Sequence, residues 1–278
     1  MRRFCPVSPS VWLSIVLLGG LQTADAAFER QVTGGRSAGM GSAIVTGSPG
    51  VWSASVHSAL LVLVDRPSIE CQIQPSPFGL SELGSAGIAA ALPFGPGTVA
   101  LSGMRLGGEL YQETEIALSG GIRPCQVLLL GARLRWCHLS IARYGSASTV
   151  AFDVSLAAVP IPEIVLATLI RGINRPTIGE GHERLPLDIA MGISYRPARS
   201  MEIAVEWEHD VLHDPALNAG VEYAPADILS LRVGIAGAVR SWTCGLGLRY
   251  GGLLCDYGLT LHPVLGPAHT ISLGFTFE

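Results

Sequence analysis

Between Ile228 and Glu278, apolar and polar side chains alternate through four consecutive stretches. Leu229, Leu231, Val233 and Ile235 alternate with Ser230, Arg232, Gly234 and Ala236. Trp242, Cys244, Leu246, Leu248 and Tyr250 then alternate with Thr243, Gly245, Gly247 and Arg249. Past Gly251-Gly252, Cys255, Tyr257, Leu259 and Leu261 alternate with Asp256, Gly258, Thr260 and His262. Ile271, Leu273, Phe275 and Phe277 close the series against Thr270, Ser272, Gly274 and Thr276. A period of two sends the two sets to opposite faces of a β-strand. One face is continuously apolar, and no helical period nearby could cover it. The other carries small residues and isolated charges, as a wet lumen would. Strands of about ten residues, apolar outside and polar inside and joined by tight turns, are the pattern of a transmembrane β-barrel. Leu231 is thereby assigned to lipid, and Arg232 to the lumen, where replacement should be tolerated better.

The same alternation runs back through the chain. It predicts strands at roughly Ser68–Gln74, Leu83–Pro93, Gly97–Gly107, Tyr111–Gly121 and Val127–Ser140. Further strands are expected at Thr149–Ala158, Ile164–Asn174, Leu185–Arg196, Met201–Asp210 and Leu217–Tyr223. Turn-formers such as Gly95-Pro96-Gly97 and Arg196-Pro197-Ala198-Arg199 separate them. The predicted fold is all-β, a transmembrane antiparallel barrel of about fourteen strands, and an even count is the rule for such barrels in bacteria. Residues 68–278 form the barrel. Residues 27–67, rich in Gly, Ser and Ala with mixed periodicity, are expected to pack in or under its lumen as a plug. Residues 1–26 read as a signal peptide, with Arg2-Arg3, the apolar run Val11–Leu18 and Ala24-Asp25-Ala26, and cleavage is expected near Ala26.

Composition changes this picture little. Nearly half of the 278 residues are hydrophobic and 14% are charged. Mean hydropathy is +0.42, yet no apolar run is long enough for a membrane-crossing helix. The net charge of −4 argues against nucleic acid as a partner. All 18 basic residues are arginine, which excludes a P-loop lysine and a Schiff-base lysine. The cysteines after Cys5 (Cys71, Cys125, Cys137, Cys244, Cys255) form no CxxC pair, so neither zinc nor a disulfide framework is indicated.

Three groups could carry chemistry. Gly35-Arg36-Ser37-Ala38-Gly39 has the spacing of a serine-hydrolase elbow, but the strand before it and the helix after it that the elbow requires have no pattern here. His209 and His213 have HxxxH spacing at the end of a strand, where the two side chains do not share a face as they would on a helix. The third group is the set of candidate lumen-lining charges: Asp188, Arg196, Glu202, Glu206, Glu208, Glu222, Arg232, Arg249 and Asp256. Arg196 is expected opposite Glu202 across a short turn. Paired carboxylates can do acid–base work, but opposite charges on a barrel wall are read as stabilising the lumen or tuning conduction. No catalytic site, cofactor or metal is expected.

Several short motifs, in order, resemble the PorV/PorQ group of outer-membrane proteins, relatives of the FadL-type long-chain fatty-acid transporter barrels. They are residues 35–43 (GRSAGMGSA), 75–80 (PSPFGL), 144–148 (YGSAS), 185–187 (LPL), 192–197 (GISYRP), 220–223 (GVEY), 231–234 (LRVG) and 256–258 (DYG). The resemblance implies a fourteen-stranded barrel with its N-terminal segment inside and, for PorV itself, work in type IX protein secretion. The expected location is the outer membrane of a Gram-negative-type bacterium. The expected partners are outer-membrane lipid with secretion-system proteins or exported cargo. The alternative is a FadL-like transporter with a hydrophobic ligand, and a weaker alternative is a non-specific pore.

Overall fold

The computed structural model describes residues 27–43, 45–46, 50–180, 183–210, 215–237 and 240–278. The expected signal peptide and His213 lie outside these residues. In chain order the strands are β1 (Ser68–Gln74), β2 (Ser85–Phe94), β3 (Gly97–Gly107), β4 (Tyr111–Ile122), β5 (Leu128–Ile141), β6 (Gly145–Ile161) and β7 (Ile164–Arg171). There follow β8 (Thr177–Ile178), β9 (Glu183–Arg184), β10 (Asp188–Ala198), β11 (Met201–Asp210) and β12 (Ala216–Ala226). The last four are β13 (Leu229–Ala236), β14 (Ser241–Tyr250), β15 (Leu253–His262) and β16 (Gly266–Thr276).

All but β8 and β9 close into one antiparallel barrel, each strand paired with its neighbours in sequence and β1 sealing against β16. β7 pairs directly with β10, and β8–β9 stand apart as a small hairpin between them. That hairpin is too short to show a period. The expected strands agree with the barrel strands to within a few residues. The largest extension is β6, which runs over Gly145–Ile161 where the alternation predicts Thr149–Ala158.

The register explains the alternation. Tyr223, Leu231, Leu246, Tyr257 and Ile271 stand side by side across β12–β16, and all face outward. One residue along β11–β16 the row is Glu202, Glu222, Arg232, Gly245, Gly258 and Thr270, and all face inward. Large apolar side chains from Ile69 to Phe277 are exposed around the outer wall. Such a girdle needs lipid or detergent to cover it. At the end holding the start of β1 and the finish of β16, most connections are two-residue turns, for example Gly95-Pro96 and Gly251-Gly252. The opposite end carries the longer loops.

The lumen is not simply wet. The described residues between 27 and 67 lie in it, with a helix α1 (Gly34–Gly39), a one-turn helix α2 (Ser53–Val56) and a 310 turn at Ser58–Leu63. GGRSAG is a poor helix former in isolation, since glycine favours the unfolded chain. The helix forms because the wall fits it. A Cβ on Gly258 would lie 2.4 Å from the Ala38 methyl, and one on Gly245 would lie 3.0 Å from the Gly39 Cα. Plug and wall then share apolar clusters. Val45, Ala59 and Leu60 pack on Leu129, Ala157, Val165, Ala167, Leu169 and Ala190. Val51, Trp52, Ala54, Leu61 and Val64 pack on Ala89, Ala91 and Ala100. At the loop end, Ala27 and Phe28 meet Cys137, Leu139 and Ala151, with Ile178 of β8 and Leu185 over them.

Candidate functional site

The barrel brings most of the expected charges into one network, which arginines of the plug complete. Glu202 and Glu222 stand directly opposite on β11 and β12, where like charges repel. Arg36, on α1, lies between them, with its Nε 2.9 Å from Glu222 Oε2 and its Nη2 3.5 Å from Glu202 Oε2. Arg196 Nε reaches Glu202 Oε2 at 3.1 Å across the bulge between β10 and β11. On the other side Arg232 bridges Glu222 and Asp256. The result is a ladder of alternating sign: Arg196, Glu202, Arg36, Glu222, Arg232, Asp256. Arg30 does similar work further along the plug, bonding Glu206 and Glu208, and the backbone N–H of Val45 donates to Glu206 at 2.7 Å. Asp188 accepts from Arg171 at 2.7 Å. Arg249 faces the lumen near the short-turn end and has no ion-pair partner among the described residues.

A second network, absent from the sequence reading, lies on β4–β7. Arg135 donates to Asp153 through Nε and Nη2, at 2.8 and 3.0 Å, and through Nη1 to Glu115 at 2.9 Å. Arg133 bonds Glu115 and donates to the Ser55 carbonyl of the plug at 2.7 Å. Arg135 and Asp153 are each only 2% exposed. The signal was present, since Arg133 and Arg135 alternate with Leu134 and Trp136 just as Arg232 alternates with Leu231 and Val233. Arg30 and Arg36 had no such signal, because the plug has no strand period.

Burial of these plug arginines lowers their guanidinium pKa, and the nearby carboxylates more than offset this, leaving both raised. His57, in the plug, behaves oppositely. Its Nε2 lies 3.1 Å from the Thr168 carbonyl and its Nδ1 is buried without a partner. Burial pushes its pKa down to about 4, so the ring is neutral.

Two cavities among the described residues lie between plug and wall. One of about 590 Å3 reaches the short-turn end between plug and wall, lined by the ladder, Glu70, Trp52, Arg199, Asp227, Arg249 and Leu254. A small one of about 40 Å3 lies beside Phe28, Val56, Met104 and Leu106 with Glu113, Glu115 and Arg133. Ser37 fits no hydrolase elbow. It lies within a helix that no strand precedes among the described residues, and its hydroxyl donates to the Thr33 and Gly34 carbonyls. His209 stacks on Trp207. No group of three metal-type ligands occurs among the described residues.

A closed fourteen-stranded antiparallel barrel with its N-terminal segment inside is the fold of the FadL-type outer-membrane barrels. The toluene transporter TbuX of Ralstonia pickettii matches 88% of this chain with 98% of its own, at a TM-score of 0.68 and 11% identity. The Pseudomonas putida toluene transporter TodX matches 90% of the chain with 100% of its own, at 0.69 and 10%. A FadL homologue of Pseudomonas aeruginosa matches 90% with 99% of its own, at 0.63 and 9%. No protein-family model and no curated protein matches the sequence.

Proposed function

We propose that the chain is an outer-membrane barrel through which small hydrophobic molecules pass, without catalysis. The observation that carries this is the plugged barrel itself, shared along about nine-tenths of the chain with proteins described as toluene transporters. The lumen supplies a route of matching chemistry. Salt bridges of Arg30 and Arg36 hold the plug to β11 and β12. Against β2, β3 and β5–β7 its packing is mainly apolar, on Ala89, Ala91, Ala100, Leu129, Ala157, Val165, Ala167 and Leu169, and toward β5–β7 it is crossed by the Arg133–Ser55, Ala59–Ser155 and His57–Thr168 hydrogen bonds. An apolar solute parts the alanine-lined face at β2 and β3 without breaking an ion pair, whereas an ion or sugar would have to shed its water there. Phe28, Leu139, Ile178 and Leu185 form a closed apolar cluster at the loop end, which an entering solute would part. With its short turns toward the periplasm, the barrel takes solute from outside.

Cells lacking the chain should take up labelled toluene more slowly than complemented cells, with glucose uptake unchanged. Equal toluene uptake by both would end this reading. The secretion role implied by the PorV/PorQ resemblance is supported by the sequence motifs alone; recovery of secretion proteins in a pull-down from membranes would favour it. Export with removal of residues 1–26 goes with either role. Mass spectrometry of membrane fractions should find a mature chain beginning near Ala27, and an intact Met1 would refute export.

A further inference from the structure

We infer that the cavity at the short-turn end holds a zwitterionic headgroup, with Glu70 taking its ammonium and Arg249 its anionic group. The inference goes beyond hydrophobic transport and does not depend on it.

Once the ladder is closed, four charged groups on the cavity wall have no ion-pair partner among the described residues. Three, Arg199, Asp227 and Arg249, are exposed at the rim. The fourth is Glu70, in the depth and only 6% exposed. A buried carboxylate without a salt bridge is costly, and Arg232, the guanidinium that attracts it, is already paired with Glu222 and Asp256. Its polar neighbours are the Ser272 hydroxyl and the Trp52 indole. The Ser272 oxygen already accepts from the Gly35 N–H at 3.1 Å, and the Trp52 N–H is itself buried without a hydrogen-bond partner. Neither supplies the missing positive charge.

The register sets the opposite pole. Arg249, Leu254, Gly274 and Glu70 are consecutive neighbours across β14, β15, β16 and β1, all facing the lumen. Three strand spacings separate the two charged residues, roughly 14 Å between Cα atoms. Glu70 leans over Gly274, where a Cβ would come within 3.2 Å of its Cγ. With the reach of an arginine side chain, the gap left suits a molecule carrying ammonium and phosphate a few bonds apart. Leu254 between them and Trp52 at the back would meet its methyl or methylene groups. The rim is net positive and the depth negative, so the zwitterion enters ammonium first.

The test is calorimetric titration of the purified protein in nonionic detergent with phosphocholine, and separately with lysophosphatidylcholine. Saturable binding of phosphocholine is expected, weakened about tenfold or more by Glu70→Gln. Binding of the lysolipid alone, with the same dependence on Glu70, would identify the source as a membrane lipid. Arg249→Glu, at the exposed rim, gives a second arm that does not endanger folding, and it should abolish the preference for phosphocholine over choline. The inference is overturned if neither probe titrates, if Glu70→Gln binds as the wild type does, or if Arg249→Glu leaves that preference intact.

Discussion

Arg36 answers a problem that the barrel wall sets for itself. Glu202 and Glu222 face each other at hydrogen-bonding register, and Arg36 is the plug residue that contacts both. Arg36→Met should therefore cost about 1–3 kcal/mol. The double variant with Glu222→Gln should recover part of that loss, because the surviving repulsion is gone. Thermal melts in detergent measure both; no recovery would mean that the two carboxylates do not interact. Arg196 and Glu202 should couple more weakly, on the order of 0.5–1 kcal/mol, because Arg196 is 31% exposed. Strict additivity in the double-mutant cycle would count against that pair.

The outward and inward assignment of neighbours was legible residue by residue, but the cost of replacing them was not. Leu231→Arg should lose about 2–4 kcal/mol in a bilayer, as the period of two implies. Arg232→Leu was expected to be mild, yet Arg232 is 3% exposed and pairs with both Glu222 and Asp256. Its loss strands two carboxylates and should cost about 3–5 kcal/mol. Arg249→Leu is the mild lumenal change, within about 0.5 kcal/mol. Alternation shows which way a side chain points. Its partners depend on strands distant in sequence and on the plug.

At the scale of elements, the strands announced themselves by their period, and the plug only by its Gly, Ser and Ala content, without its contacts. Gly245 and Gly258 read as small residues on a wet wall, when they are the footprint of α1. Gly131 likewise admits the plug backbone at Ser58-Ala59. Glycine at inward positions of several adjacent strands was the readable trace of an object inside, but only the register makes those glycines neighbours. Because the plug is buried among apolar clusters, limited proteolysis of intact cells should spare residues 31–58. Rapid cutting there would contradict the packing.

His57 gives the plug a pH dependence whose sign is fixed. The unfolded chain takes up a proton near the ordinary histidine pKa of about 6.5, and the folded plug resists it until about 4. The unfolded state thus binds more protons in that window, so stability falls as pH drops from 6.5 toward 4. Unfolding followed across this range should show the slope, and His57→Gln should flatten it. An unchanged slope in the variant would show that His57 titrates freely.

For the whole molecule, two surfaces set the behaviour. The outer girdle demands lipid, so the protein should stay folded in detergent and aggregate when it is removed; a soluble monomer without detergent would end the barrel reading. Under the proposed function the inner seam decides what crosses, and the most direct measurement is flux into vesicles containing the purified protein. Toluene-sized hydrocarbon and a polar solute of equal size are compared for the wild type and for Ala91→Phe, which thickens the seam between plug and wall. Faster hydrocarbon entry than in protein-free vesicles, little polar flux and a several-fold loss of hydrocarbon flux in Ala91→Phe are expected. Equal flux of both solutes, or hydrocarbon flux untouched by Ala91→Phe, would contradict passage along the seam.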